Sequence, residues 1–393
     1  MNDPIVITGI ARTPMGSFQG ALTQMTASQL GAAAIKAAVE RSGIAPEAVQ
    51  EVLMGCVLPA GQGQAPARQA SLGAGLPLGT GCTTINKMCG SGMKAAMLAY
   101  DSLMALSNDI VVAGGMESMS NAPYLLPNAR GGMRMGHGEV KDHMFLDGLE
   151  DAYETGRLMG SFAEECADKY NFSREAQDEF AITSLKRAQE AITSGAFEDE
   201  ITPVTVKSRK SETLVTTDES PFNAKIDKIP TLRPAFRKEG TVTAANSSSI
   251  SDGAAALTMM RRSVAEKHGL TPLAVIHGHS TFAHEPAWFT TAPVDAIKNL
   301  LTKINWTSDE VDLFEINEAF AVVTMAGMHD LKLSHDKVNV NGGACALGHP
   351  IGASGARILV TLIAALQRRK LKKGIAALCI GGGEATAMAV ELV

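Results

Sequence analysis

Two stretches of this chain, residues 84–115 and 338–383, run through the same succession of elements, and that repetition constrains the fold more than any other feature. Each passes from a short apolar strand through a glycine-bounded turn into an apolar helix. Each then enters a buried strand that closes on consecutive glycines, Gly114-Gly115 in the first and Gly381-Gly382-Gly383 in the second. Two similar α/β halves that pack together set equivalent loops side by side, where a shared site can form. The fold class expected is therefore α/β, and 393 residues allow two to three domain-sized units.

Around this repeat the apolar periodicity predicts further elements. Strands are expected over residues 5–10, 52–57, 109–113, 274–280, 311–316 and 375–380. Helices are expected over 26–42, ending at Gly43, over 65–72, over 173–195 behind an N-cap at Ser173, and over 355–368. The helix after Cys89 is apolar nearly all round (Met93, Ala96, Met97, Leu98, Leu103, Met104), which places it in the centre of the protein. From about Ser118 to Ser249 the chain turns to Met, Gly, Pro and charge, the character of a long excursion with helices of its own.

The formal net charge of −6 argues against bulk attraction to nucleic acid. Lys207, Arg209, Lys210, Lys225, Lys228, Arg233, Arg237 and Lys238 form a local basic stretch, either a solvated face or a landing place for an anionic ligand. Six cysteines without a CxxC pair read as reduced thiols. The N-terminus lacks the basic and apolar regions of a signal peptide, and the longest apolar run, Ile358 to Leu366, is too short to cross a bilayer. No membrane partner and a cytoplasmic location are expected.

Cys89 stands between a strand and a helix, followed by Gly-Ser-Gly. The free N–H groups of a first helical turn favour thiolate over thiol there, which is how a nucleophile is presented; a buried structural cysteine is the plain alternative. In Gly348-His349-Pro-Ile-Gly the histidine sits on a rigid turn, where an imidazole can be held beside a thiol or simply buried. The glycines of that segment lack the G-x-G-x-x-G spacing, and a basic run follows where an acidic ribose ligand would stand, so dinucleotide binding is not expected. Asn317, directly after a strand, either caps a helix or holds a water or an oxyanion. Cys379-Ile-Gly381-Gly-Gly offers a second thiol and backbone N–H groups that can converge on an oxygen. No pair among Cys89, His349 and Cys379 has metal-ligand spacing.

Taken together, Asn86-Lys-Met-Cys89-Gly-Ser-Gly, Asn317-Glu-Ala-Phe-Ala, Gly348-His349-Pro-Ile-Gly and Cys379-Ile-Gly-Gly-Gly resemble, in order, the four motifs of the thiolase family, and the likeness covers essentially the whole chain. The resemblance implies the thiolase fold, two α/β halves in a five-layered αβαβα arrangement. Residues 1–118, completed by about 250–271, would form the N-terminal half, 119–249 a loop domain and 272–393 the C-terminal half. The stretches around Asn121, His137, Leu149 and Ser248 resemble the tetrameric branch that joins two acetyl-CoA molecules into acetoacetyl-CoA, so a homotetramer is expected. Leu158 and Phe289-Thr-Thr-Ala-Pro depart from that branch's pattern, and a broader-chain 3-ketoacyl-CoA thiolase is the alternative.

By the same resemblance Cys89 takes the acyl group as a thioester, His349 accepts its proton, and Cys379 deprotonates the second acetyl-CoA. His349, with a water held by Asn317, supports the enolate oxygen, and the N–H groups of Cys89 and Gly381 stabilise the tetrahedral intermediates. Ser248, Met159, Ala319, Phe320 and Leu149 would contact substrate and CoA, with the basic stretch toward the CoA phosphates. No metal or redox cofactor is implied, since CoA and its thioesters are substrates. A ketoacyl synthase would need a second histidine at Asn317, and a cysteine hydrolase would have no use for Cys379. A silent CoA-binding protein would need none of the three reactive side chains.

Overall fold

The computed structural model describes residues 3–208 and 211–393. Nine main strands, β1 (Ile5–Arg12), β2 (Glu51–Gly55), β3 (Gly81–Ile85), β4 (Ile110–Ser118), β5 (Ser251–Arg261), β6 (Ala274–Ala283), β7 (Leu313–Ile316), β8 (Lys373–Ile380) and β9 (Glu384–Leu392), lie in the order β7-β8-β9-β6-β1-β5-β4-β2-β3. Gly16–Ser17 pairs with β5 and completes a ten-stranded sheet. The pairs β7–β8, β4–β2 and β2–β3 are parallel and the others antiparallel.

The sheet is continuous, but only just. β1 and β6 meet at two positions, Val6 with Val275 and Ile7 with Ala274, so the sheet divides there into two similar halves. A lone parallel bridge from Phe314 to Val338 stands beside β7 where β3 stands beside β2.

Alternation along the strands sets the layers. Ile5 and Ile7 of β1, Val111 of β4, Leu378 of β8 and Met388 of β9 face one core, which encloses helices α2 (Ser91–Met104) and α7 (Ile351–Arg369). The intervening residues point the other way. Val6 and Val112 meet α1 (Ala27–Ser42), while Ile375 and Ala377 meet α5 (Ala292–Ile304). Strands apolar on both faces must be covered twice, and the result is five layers, α1, half-sheet, α2 with α7, half-sheet, α5. Between β4 and β5 the chain leaves the sheet and forms α3 (Met159–Tyr170) and α4 (Arg174–Thr193). The remaining helix of this set is α6 (Ala321–Leu331).

Several boundaries differ from the periodicity. β4 does not close on Gly114-Gly115 but runs through them to Ser118. A Cβ at Gly114 would lie 2.2 Å from the Ala255 carbonyl oxygen, and one at Gly115 would lie 2.1 Å from that of Gly352, so the glycines admit backbone from β5 and α7. α7 begins at Ile351, four residues earlier than expected, and Gly352 and Gly355 lie inside it; a Cβ at Gly355 would come within 2.3 Å of the Met93 nitrogen of α2. Leu98 and Met104 of α2 are exposed, so that helix is central along one side only. α4 is capped by Ser173, whose side chain accepts from the Ala176 N–H, and ends at Thr193.

The excursion is pinned to the sheet by charge. Arg12 of β1 donates to Glu200 at 2.5 Å and forks onto both oxygens of Asp218 at 2.7 and 2.9 Å, all three fully buried. Among the described residues no helix is long and apolar enough to cross a membrane, and no three His, Cys, Asp or Glu side chains cluster as a metal site.

Candidate active site

The two repeated loops converge on a cavity of about 1050 Å³. Cys89, His349, Cys379, Gly381, Ser248, Met159, Ala319, Phe320 and Leu149 all line it. Asn317 does not reach its wall.

Cys89 closes the turn from β3 into α2. Asn86 accepts the Met88 N–H at 2.9 Å, and the Ser91 hydroxyl accepts the Lys87 N–H at 2.8 Å while donating to the Met88 carbonyl at 2.6 Å. These bonds hold Met88 at φ 47°, a left-handed conformation unusual for a side chain of its size, and so tip Cys89 into the cavity. The glycines beside it serve contact rather than unusual dihedrals. Gly90 has φ −81°, and a Cβ there would meet Ile380 Cδ1 at 2.4 Å. Burial pushes the Cys89 thiol up to about 11, although the Gly381 N–H and its own N–H draw it down; Glu117 adds to the rise. The expectation of a thiolate is thereby corrected: helix-terminal N–H groups are present, and removal from water outweighs them.

His349 lies in the turn before α7. Ser354 donates to the Pro350 carbonyl at 2.9 Å, so its oxygen accepts from Nδ1 of His349 at 2.5 Å. That bond fixes the proton on Nδ1 and leaves Nε2 as the acceptor, and Nε2 has no protein partner. Burial, helped by the charge of Arg357, pulls the imidazole down to about 3 and keeps it neutral.

Cys379, the last residue but one of β8, is buried among Phe162, Phe289, Ala319 and Phe320. Burial, with the neighbouring Cys89 sulfur, pushes its thiol well above the ordinary range. The turn that follows, Gly381-Gly382-Gly383, carries Gly382 at φ 94° and Gly383 at φ 86°, which glycine adopts without strain.

Asn317 is buried, and neither its Oδ1 nor its Nδ2 has a protein partner. It does not cap α6. Its neighbours are tightly held: Asn339 accepts the Ile316 N–H at 2.8 Å and donates to the Ile316 carbonyl at 2.8 Å and to Glu318 at 2.9 Å, while Ser184 donates to Glu318 at 2.7 Å.

Three further features lie outside the motifs above. Lys87 and Glu384 form an ion pair on the cavity wall. Glu117, at the end of β4, accepts the N–H groups of Val57 at 3.0 Å, Leu58 at 3.1 Å and Gly352 at 2.8 Å, tying the start of α7 to the loop after β2; burial pushes its carboxyl up to about 7. His143, also on the wall, pairs with Asp147 at 2.7 Å. An acidic residue closing a buried strand was the visible signal for Glu117, whereas the other pairs depend on chain folding. In the basic stretch, Lys225, Lys228, Arg233 and Lys238 are exposed outside the cavity wall, Arg237 is engaged by Asp168 at 2.6 Å, and Arg209 and Lys210 lie outside the described residues.

Residues 5–263 match the model of the thiolase N-terminal domain and residues 270–392 that of the thiolase C-terminal domain. The chain is 50% identical over 389 residues to an acetyl-CoA acetyltransferase of Cupriavidus necator, covering 98% of this chain and 99% of that one. It is also 50% identical over 392 residues to acetyl-CoA acetyltransferase 2 of Arabidopsis thaliana, covering 99% and 97%. Among solved structures it is similar to the acetyl-CoA acetyltransferase of Bacillus anthracis, with a TM-score of 0.97 and 42% identity over 100% of this chain and 99% of the other. A thiolase of Ascaris suum, solved in complex with coenzyme A, gives 0.94 and 42% over 99% and 100%.

Proposed function

This chain belongs to the thiolase family, and from that membership and the chemistry of its cavity we propose that it is an acetyl-CoA C-acetyltransferase, interconverting two acetyl-CoA with acetoacetyl-CoA and CoA. The observation that carries the reading is the meeting of two thiols and one imidazole, supplied by both halves, in a single cavity.

In thiolysis the Cys89 sulfur attacks the C3 carbonyl of acetoacetyl-CoA, and its proton passes to Nε2 of His349. A neutral thiol beside a neutral imidazole is the resting state that burial supports, so proton transfer accompanies attack. The N–H groups of Cys89 and Gly381 receive the negative oxygen. As the C2–C3 bond breaks, the electron pair goes to C2 and Cys379, protonated at rest, gives C2 its proton; acetyl-CoA leaves. CoA then passes its thiol proton to Cys379, attacks the acetyl-Cys89 thioester and departs as a second acetyl-CoA, while Cys89 regains its proton from His349. Condensation is the reverse. Asn317, its amide unpaired, supports the enolate oxygen through a bridging water.

Ser248, Met159, Ala319, Phe320 and Leu149 form the wall against which the acyl group and pantetheine rest, and the exposed basic stretch of Lys225, Lys228, Arg233 and Lys238, which reaches the wall through Ala235 and Phe236, takes the CoA phosphates. No metal or redox group is needed, and CoA is consumed as substrate. The enzyme acts in the cytoplasm as a homotetramer; the partly exposed edge of β3 and the exposed loop bearing Tyr124, Leu126 and Met135 support association.

The test is CoA-dependent thiolysis of acetoacetyl-CoA against a medium-chain 3-ketoacyl-CoA, with Cys89→Ala as blank. Preference for acetoacetyl-CoA is expected. Equal or better turnover of the longer substrate would make this a broad-chain 3-ketoacyl-CoA thiolase, and no thiolysis of either would overturn the reading.

A further inference from the structure

The glycine turn that carries the Gly381 N–H has no side chains of its own to hold it. Gly381, Gly382 and Gly383 link β8 to β9 directly, and a run of three glycines keeps more conformational freedom than any other tripeptide. The ladder closes at Ile380 and Glu384, and the Gly383 carbonyl accepts the His284 N–H at 2.9 Å, so its own half fixes the ends of the turn; two side-chain contacts then grip it from the other half. At the front, Ile380 packs against Gly90, so closely that a Cβ on Gly90 would lie 2.4 Å from Ile380 Cδ1. At the back, Glu384 meets the ammonium of Lys87. Both grips are made with one element, the turn that presents Cys89, and they fall one residue after and two residues before that cysteine.

We propose that Lys87 and Glu384 are positioning residues, an electrostatic latch that keeps the glycine turn of the C-terminal half seated on the nucleophile turn of the N-terminal half. Seated so, the Gly381 N–H stays directed at the Cys89 sulfur and at the oxygen that becomes negative there. The pair is sheltered, with side chains 21% and 34% exposed, so salt screens it less than an open surface pair. The two residues lie 297 positions apart, and their contact exists only when the halves are docked.

The inference rests on the proposed roles of Cys89 and Gly381. Acetylation of Cys89 by acetyl-CoA, read by mass spectrometry on the wild-type protein, is accordingly measured first: no adduct overturns the reading of the site and the latch with it. With the adduct present, Lys87→Met and Glu384→Gln are compared in acetoacetyl-CoA thiolysis. Losing an oxyanion donor outright costs about 100- to 1,000-fold in kcat, so loosening one should cost about tenfold, with KM for both substrates changed less than about twofold. The swapped protein, Lys87→Glu with Glu384→Lys, should recover most of the lost kcat. A loss confined to KM, unchanged kcat in both single variants, or a swap no better than either single variant would each overturn the latch. Should Lys87→Met lower the urea midpoint as well, Glu384→Gln and the swap carry the comparison.

Discussion

At His349 the proton is placed by a residue five positions on. Ser354 can donate only once, it spends that proton on the Pro350 carbonyl, and its oxygen is left to accept from Nδ1. Neutral imidazole and neutral thiol follow from burial, and they set a pH dependence that differs from that of a free cysteine. With the Cys89 thiol raised to about 11, its thiolate fraction at pH 7 is smaller than that of an ordinary thiol and grows only as pH climbs. Alkylation of Cys89 by iodoacetamide should therefore accelerate with an inflection above about pH 9. An inflection below pH 8 would mean that a thiolate–imidazolium pair already exists at rest. Cys89, His349 and Cys379 were legible in the sequence because each stands in a short run of glycine or proline that no ordinary core residue requires. The part played by Ser354, and the failure of Asn317 to reach the cavity wall, were not, since both depend on how α7 and α6 enter their turns.

Among the elements, α7 is seated by close backbone approach, and glycine is the reason. Its first turn lies on β4 at Gly115 and its second on α2 at Met93. Gly115→Ala would press a methyl group against the Gly352 carbonyl at 2.1 Å, a backbone atom that cannot step aside, and should destabilise the protein by about 2 kcal/mol or more in urea unfolding. Gly79→Ala, where no atom lies within 4 Å, should leave the unfolding midpoint within about 0.5 kcal/mol of wild type. Equal effects from the two would sink the close-approach account. Apolar period pointed to β1, β2, β4, β6, β7 and β8 and to α1, α2, α4 and α7 but passed over β5, β9, α3, α5 and α6, and it cut β4 short and began α7 late. In both places glycines looked like punctuation, whereas what they do is let one backbone lie against another.

At the scale of the molecule, one fully buried arginine joins the excursion to the sheet. Arg12→Met would strand the carboxylates of Glu200 and Asp218 without their cation and should cost about 3–5 kcal/mol in chemical denaturation. Lys36→Met, breaking a pair with Glu40 whose side chains are 62% and 64% exposed, should cost no more than about 1 kcal/mol. If Arg12→Met proved as mild as Lys36→Met, the buried trio would not be what anchors the excursion. The sequence by itself determined the repeated α/β halves, the family and the identity of the thiols and imidazole that meet in the cavity, because apolar period and short glycine-flanked motifs are local properties of a chain. Only the tertiary structure decided that the half-sheets join through two residue pairs, that burial raises the Cys89 thiol, and that Lys87 meets Glu384 on the cavity wall. Desolvation and contacts between residues hundreds of positions apart come into being only when the chain has closed on itself.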